Sequence, residues 1–121
     1  MPRVVHFEIP ADDPERAAGF YEKVFGWRIE KWEGPMDYWL VVTGESGTPG
    51  IDGGIAPRQP GAVVTNTIDV PSVDDYVKRI TDAGGEVVVP KMAVPGVGWL
   101  AYLKDTEGNL FGIMTSDMEA R

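Results

Sequence analysis

The chain has one histidine, His6, with a carboxylate two residues along at Glu8. In a strand, residues two apart share a face, so imidazole and carboxylate stand side by side. Such a pair suits proton transfer: the carboxylate steadies an imidazolium or acts as general base in a dry setting. Thr65 and Thr67 repeat the spacing and offer hydroxyls to a ligand. Tyr38, Trp99 and Met114 supply flat or polarisable apolar surface of the kind that walls a small-molecule cleft. Each residue also has a plainer role to be weighed. A lone strand histidine is more often a satisfied structural group, Glu8 serves equally as a salt-linked rim carboxylate, and threonines are ordinary strand residues. Tyr38 and Trp99 could equally fill a core. Trp27, Trp32 and Trp39 read as helix–sheet or dimer-interface packing.

Composition excludes several chemistries outright. The 121 residues include no cysteine, which removes disulfides, thiolate zinc sites, iron–sulfur clusters and cysteine nucleophiles. A single histidine removes any site needing two imidazoles from one chain. Nineteen acidic against 11 basic residues give a net charge of −8, which opposes nucleic acid and anionic membrane as partners. The segment Met1-Pro2-Arg3-Val4-Val5 lacks the apolar run of a signal peptide, and no stretch approaches the roughly 20 apolar residues of a membrane span. A soluble, cytoplasmic protein is expected. Gly96-Val97-Gly98 alone is not a nucleotide fingerprint, and Gly44-Glu45-Ser46 lacks the second glycine of a nucleophile elbow.

The elements that must position these residues follow from periodicity. Residues 3–9 alternate as a strand, with His6 and Glu8 opposite Val5, Phe7 and Ile9. Asp12 with Glu15 fits a capping box, Pro14 suits the first helical turn, and Gly26 closes the helix. Short strands are expected near 27–32, 38–43 and 51–56, with a glycine-rich loop at 44–50. A strand at 63–70 follows, then a helix capped by Ser72 and ended by Gly84-Gly85. Strands at 86–89, 99–104 and 109–115 complete the chain. The order is β-α-β-β-β, twice. Val4, Val5, Ile9, Gly26 and Gly53 recur at a constant offset as Val63, Val64, Ile68, Gly85 and Gly112. A tight hairpin at Asp105–Gly108 would set Ala101 against Gly112 and Trp99 against Met114. The stretch Ala93–Gly98 reads either as a lid or as a plain connection, with the connection favoured.

Three motifs carry a resemblance: His6-Phe7-Glu8-Ile9-Pro10; Phe20-Tyr21 followed by Val24-Phe25-Gly26-Trp27; and Asp105-Thr106-Glu107-Gly108-Asn109-Leu110-Phe111-Gly112. In order and spacing they resemble the vicinal oxygen chelate superfamily of glyoxalases, bleomycin-resistance proteins and extradiol dioxygenases, over nearly the whole chain. The resemblance implies an α+β fold in which two β-α-β-β-β modules, about 1–58 and 61–117, pair into one open-barrel domain over 1–121 with a central cleft. It also implies a homodimer. The superfamily's metalloenzymes place ligands on the first and last strands of each module, and carrying those positions over gives His6, Gly53, Thr65 and Gly112. Only His6 binds a metal well, so no cofactor is expected and a divalent metal is disfavoured, with Asp52 the residue an alignment slip would revive. The expected cleft residues are His6, Glu8, Tyr38, Thr65, Thr67, Trp99 and Met114. The expected function is binding of a small organic ligand without a complete metal site. The alternatives are a metal-dependent glyoxalase-like lyase, isomerase or dioxygenase, or a metal-free acid–base enzyme using His6 and Glu8.

Overall fold

Alternating apolar residues, two capping side chains and glycine turns divide the chain much as the periodicity predicts. The computed structural model describes residues 1–121. It is α+β, with β1 (Arg3–Ala11), α1 (Pro14–Phe25), β2 (Arg28–Lys31), β3 (Trp39–Val42) and β4 (Asp52–Pro57) in the first module. The second has β5 (Thr65–Asp69), α2 (Val73–Asp82), β6 (Glu86–Val94), β7 (Gly98–Lys104) and β8 (Leu110–Ser116). The β-α-β-β-β order is present twice. Contacts gather the residues into two compact units, His6–Val64, and Thr65–Arg121 with Met1–Val5.

In His6–Val64 the strands run β2-β3-β4-β1. β1 and β4 are parallel, and the other pairs antiparallel. Helix α1 starts one residue later than the capping box predicts. Asp13 is its N-cap and accepts from the Arg16 amide at 3.1 Å. Asp12 instead accepts from Arg58 Nε at 2.9 Å. Gly26 ends the helix at φ +73°, a left-handed turn that a side chain would strain. Ala18 of α1 packs with Ala11, Val41 and Ile55, flanked by Phe7, Ile9, Tyr21, Trp27 and Trp39. One face of the strands is therefore committed to the helix, and the other is left for chemistry.

In the second unit the order is β5-β8-β7-β6, with β5 and β8 parallel. Ser72 caps α2 by accepting from the Asp75 amide at 3.2 Å. Val70, Val73, Ala101, Leu103 and Ile113 form this unit's core. One detail departs from expectation. The β7–β8 connection spans five residues, because Asp105 N donates to Asn109 O and the Asp105 carboxylate takes the Glu107 and Asn109 amides. Pairing then shifts by one residue. Tyr102 faces Gly112, Leu100 faces Met114, and Trp99 faces Thr115. The expected Ala101–Gly112 and Trp99–Met114 pairs do not form. The stretch Ala93–Gly98 is the plain connection of the two readings, a short hairpin turn between β6 and β7 with Val97 N donating to Val94 O at 2.9 Å. The C-terminal segment pins it, through Gly96 N to Ala120 O and Asp117 N to Val97 O.

Candidate functional site

Parallel pairing of β1 with β4 builds the site in His6–Val64. It sets His6 opposite Asp52, Phe7 opposite Gly53 and Glu8 opposite Gly54. Paired residues share a face, so His6, Glu8, Asp52 and Gly54 stand together while Phe7 and Ile9 pack toward α1. Leu40 joins that face through its pairing with Gly54 and is largely exposed.

Tyr38, immediately before β3, completes the group. Its hydroxyl and His6 Nε2 share a hydrogen bond of 2.6 Å. The two rings lie nearly parallel, 18° apart with centroids at 6.3 Å. The phenol crosses β4 where Gly54 has no side chain, and a Cβ there would fall inside the phenol ring. Trp32 meets Tyr38 edge-on at 83°, and its backbone amide donates to Tyr38 O at 2.7 Å. A cavity of about 390 Å³ opens beside Trp32, lined also by Lys31, Glu33, Gly34, Met36 and Asp37.

Burial holds the His6 pKa below its ordinary 6.5, and the nearby Asp52 carboxylate opposes that shift without cancelling it. The imidazole is therefore neutral at pH 7. Asp52 is itself exposed, and its Oδ1 accepts from Thr43 N at 2.9 Å and from Thr43 Oγ1 at 3.3 Å. Glu8 is half-buried on the same face.

The register corrects one carried-over position. Gly53 pairs with Phe7 and lies on the helix side, not on the face of His6. Gly112 pairs with Thr67, whose counterpart is Glu8, so the true mate of Gly112 is Gly54. The internal repeat loses one residue between the first and last strands of a module. A single-residue slip turns a strand position to the opposite face. Asp52, placed on the wrong face by the sequence reading, stands beside His6. The adjacent glycines were the available signal, since a strand glycine marks close backbone approach and two in succession mark one on each face.

The second unit holds the remaining predicted residues. Thr65 and Thr67 are each 5% exposed. Gly112 leaves little open room, because a Cβ there would come within 3.2 Å of Thr67 Oγ1 and 3.3 Å of the Tyr102 ring. Met114 is half-buried opposite Leu100. Trp99 does not share Met114's face. It packs on the Ala101–Leu103–Ile113 core, its Nε1 donates to Asp117 at 3.0 Å, and Lys91 Nζ lies 4.9 Å above its ring. Tyr102, absent from the sequence reading, stands on the face of Gly112 instead.

The residues present do not fit a divalent metal. No three His, Cys, Asp or Glu side chains are grouped to hold one. His6 Nε2 is engaged by the Tyr38 hydroxyl, and the last-strand position on its face is Gly54, covered by the phenol.

The geometry can be set beside known proteins. The family model described as bleomycin resistance protein-like N-terminal matches residues 3–44. A glyoxylase-like domain-containing protein of Didymella fabae is 32% identical over 120 residues, covering 89% of this chain and 89% of that protein. The putative glyoxylase CFP32 of Mycobacterium bovis is 28% identical over 113 residues, covering 88% of this chain. The chain spans only 41% of that mycobacterial relative's length. Among solved structures, a methylmalonyl-CoA epimerase in complex with methylmalonyl-CoA and NH4+ superposes with a TM-score of 0.70 at 17% identity, over 100% of this chain and 99% of that one. At that identity the likeness is one of fold. Motif order, duplicated β-α-β-β-β modules and a near full-length glyoxylase-like relative converge, and the chain belongs to the vicinal oxygen chelate superfamily, among its glyoxalase-like proteins.

Proposed function

We propose that this protein binds a small, neutral or cationic organic molecule on the His6 face of its first module, without a metal ion. The observation that carries the reading is the aromatic run Trp32–Tyr38–His6, which ends on a neutral imidazole; Trp32 also borders an open cavity of about 390 Å³ that His6 itself does not line. That volume lies in the range of small-ligand sites, and the cavity wall is one tryptophan and one methionine among Lys31, Glu33, Gly34 and Asp37. Glu8 and Asp52 beside an uncharged histidine make the face acidic, which favours a ligand that is positive or donates hydrogen bonds. The chain's net charge of −8 acts in the same direction.

A second reading has its own support. A base that is neutral at pH 7 beside a carboxylate is also equipped to move a proton, so a metal-free acid–base enzyme uses the same residues. The wider reading includes a cytoplasmic homodimer. The exposed Phe20, Val24 and Phe25 of α1 support the dimer, and sizing chromatography at two concentrations tests it. No helix is long and apolar enough to cross a membrane.

The test is a thermal-shift screen of cationic, neutral and anionic aromatic compounds, repeated on His6→Ala and Glu8→Gln. Ligand at about 100 times its Kd stabilises by about 2.7 kcal/mol. Cationic or neutral hits weakened in both variants support the reading. Hits confined to anions, or unchanged in the variants, overturn it. Turnover of a hit in the presence of chelator selects the acid–base enzyme over the pure binder.

A further inference from the structure

The bond between Tyr38 and His6 fixes more than the position of the ring. An N–H approaches an oxygen to about 2.7–3.2 Å, and an O–H donor comes closer. At 2.6 Å the Tyr38–His6 bond lies in the hydroxyl's range. The chemistry agrees, since a phenol oxygen gives lone-pair density to its ring and an imidazole nitrogen is the better acceptor. The Tyr38 hydroxyl therefore donates, and His6 Nε2 accepts. A neutral imidazole carries one ring proton, so here it sits on Nδ1. Nδ1 has no protein partner, because the one hydrogen bond of His6 runs through Nε2. No buried side-chain nitrogen or oxygen lacks a hydrogen bond, so Nδ1 is not sealed in and is within reach of a ligand.

Asp52 supplies the complement. It pairs directly with His6 across β1 and β4, and it is exposed. Its Oδ1 holds Thr43, while Oδ2 makes no bond within the protein. We propose that Tyr38 is a positioning residue that locks His6 in its Nδ1–H form, and that this donor beside the Asp52 carboxylate selects a ligand carrying a carboxamide or urea group. The carbonyl oxygen of such a group accepts from Nδ1–H, and its N–H donates to Asp52. A ligand with donors alone would meet Nδ1–H donor to donor. Gly54 is part of the lock, because any side chain there would displace the phenol. The ligand class rests on the binding reading above, whereas the locked tautomer stands without it.

The experiment has two parts. Long-range nitrogen–proton NMR of the single histidine ring should show Nδ1 protonated and Nε2 bare in the wild type. Tyr38→Phe, which keeps the ring and loses only the hydroxyl, should lose that preference. Calorimetric titration then compares benzamide with benzamidinium, which has the same shape but an NH₂ in place of the carbonyl oxygen. The benzamide-to-benzamidinium affinity ratio should fall by about tenfold in Tyr38→Phe, and should not respond to that change on a His6→Ala background. An Nε2–H ring in the wild type overturns the role of Tyr38, as does a ratio that Tyr38→Phe leaves unmoved or shifts without His6. Hits for other compounds in the screen above with none for benzamide overturn the ligand class and leave the binding reading standing. No hits at all sink the binding reading, and the ring spectrum alone then upholds or overturns the lock.

Discussion

His6 and Glu8 on β1 have Thr65 and Thr67 as counterparts on β5, and the two strands differ in character. On β1 the outward positions carry an imidazole and a carboxylate, with Tyr38 reaching in and Asp52 alongside. On β5 they carry two hydroxyls, both buried, with Gly112 held close by Thr67 and Tyr102. The glycines differ as well. Gly54 makes room for a phenol that grips the histidine, whereas Gly112 is packed between neighbours that hold no titratable group near neutrality. One module keeps the ionisable chemistry while the other holds its equivalent positions in neutral packing. A duplicated architecture thus fixes where side chains point without fixing what they do.

The comparison can be challenged first at the cores. Ile55 in the first unit and Leu103 in the second are both fully buried at 0% exposure. Truncating either to alanine should cost about 2–5 kcal/mol in urea unfolding. Similar losses would mark the halves as equal packing units that differ only on their outer faces. A loss confined to one would show that the two differ in packing as well as in chemistry.

The glycines give the next largest effect and the sharper contrast. Gly54→Ala should cost about 1–3 kcal/mol, because the new methyl must expel the Tyr38 ring. Gly112→Ala meets its neighbours at 3.2 Å and 3.3 Å, so a few tenths of an ångström of adjustment accommodates it. Its cost should be the smaller of the two, under about 1 kcal/mol. Equal costs would remove the distinction between the two faces. The caps give the smallest difference. Asp13→Ala and Ser72→Ala should each lose about 1 kcal/mol by thermal unfolding, since each side chain satisfies one helix amide.

Much of this was legible in the sequence. The helix signals Pro14, Gly26 and Ser72 and the strand alternation gave both modules, because these are local effects of backbone geometry. Register was less legible. A tight hairpin would set Trp99 against Met114, but Asp105 closes a five-residue loop and turns the tryptophan toward the core. Carrying the repeat through at one offset puts Gly53 on the face of His6, whereas the β1–β4 and β5–β8 pairings together show a one-residue loss. The sequence marks Tyr38 as a cleft residue but carries no sign of its hydrogen bond to His6. That bond spans 32 positions along the chain and depends on a glycine in a third strand. Periodicity reports which face a residue takes and says nothing of which distant side chain meets it there.

The central claim is that His6 is a neutral imidazole held by Tyr38, and the single histidine makes it directly measurable. With a folded pKa below the ordinary 6.5, the folded chain binds fewer protons at this site than the unfolded chain as pH falls past 6.5. Stability from this group is full above 6.5 and declines below it until the folded pKa is passed. An NMR pH titration of the His6 ring, in wild type and in Tyr38→Phe, reads the claim without interference from other histidines. The account predicts a midpoint below 6.5 and ring-nitrogen signals that move when the hydroxyl is removed. A midpoint at or above 6.5, with ring signals indifferent to Tyr38→Phe, would contradict it.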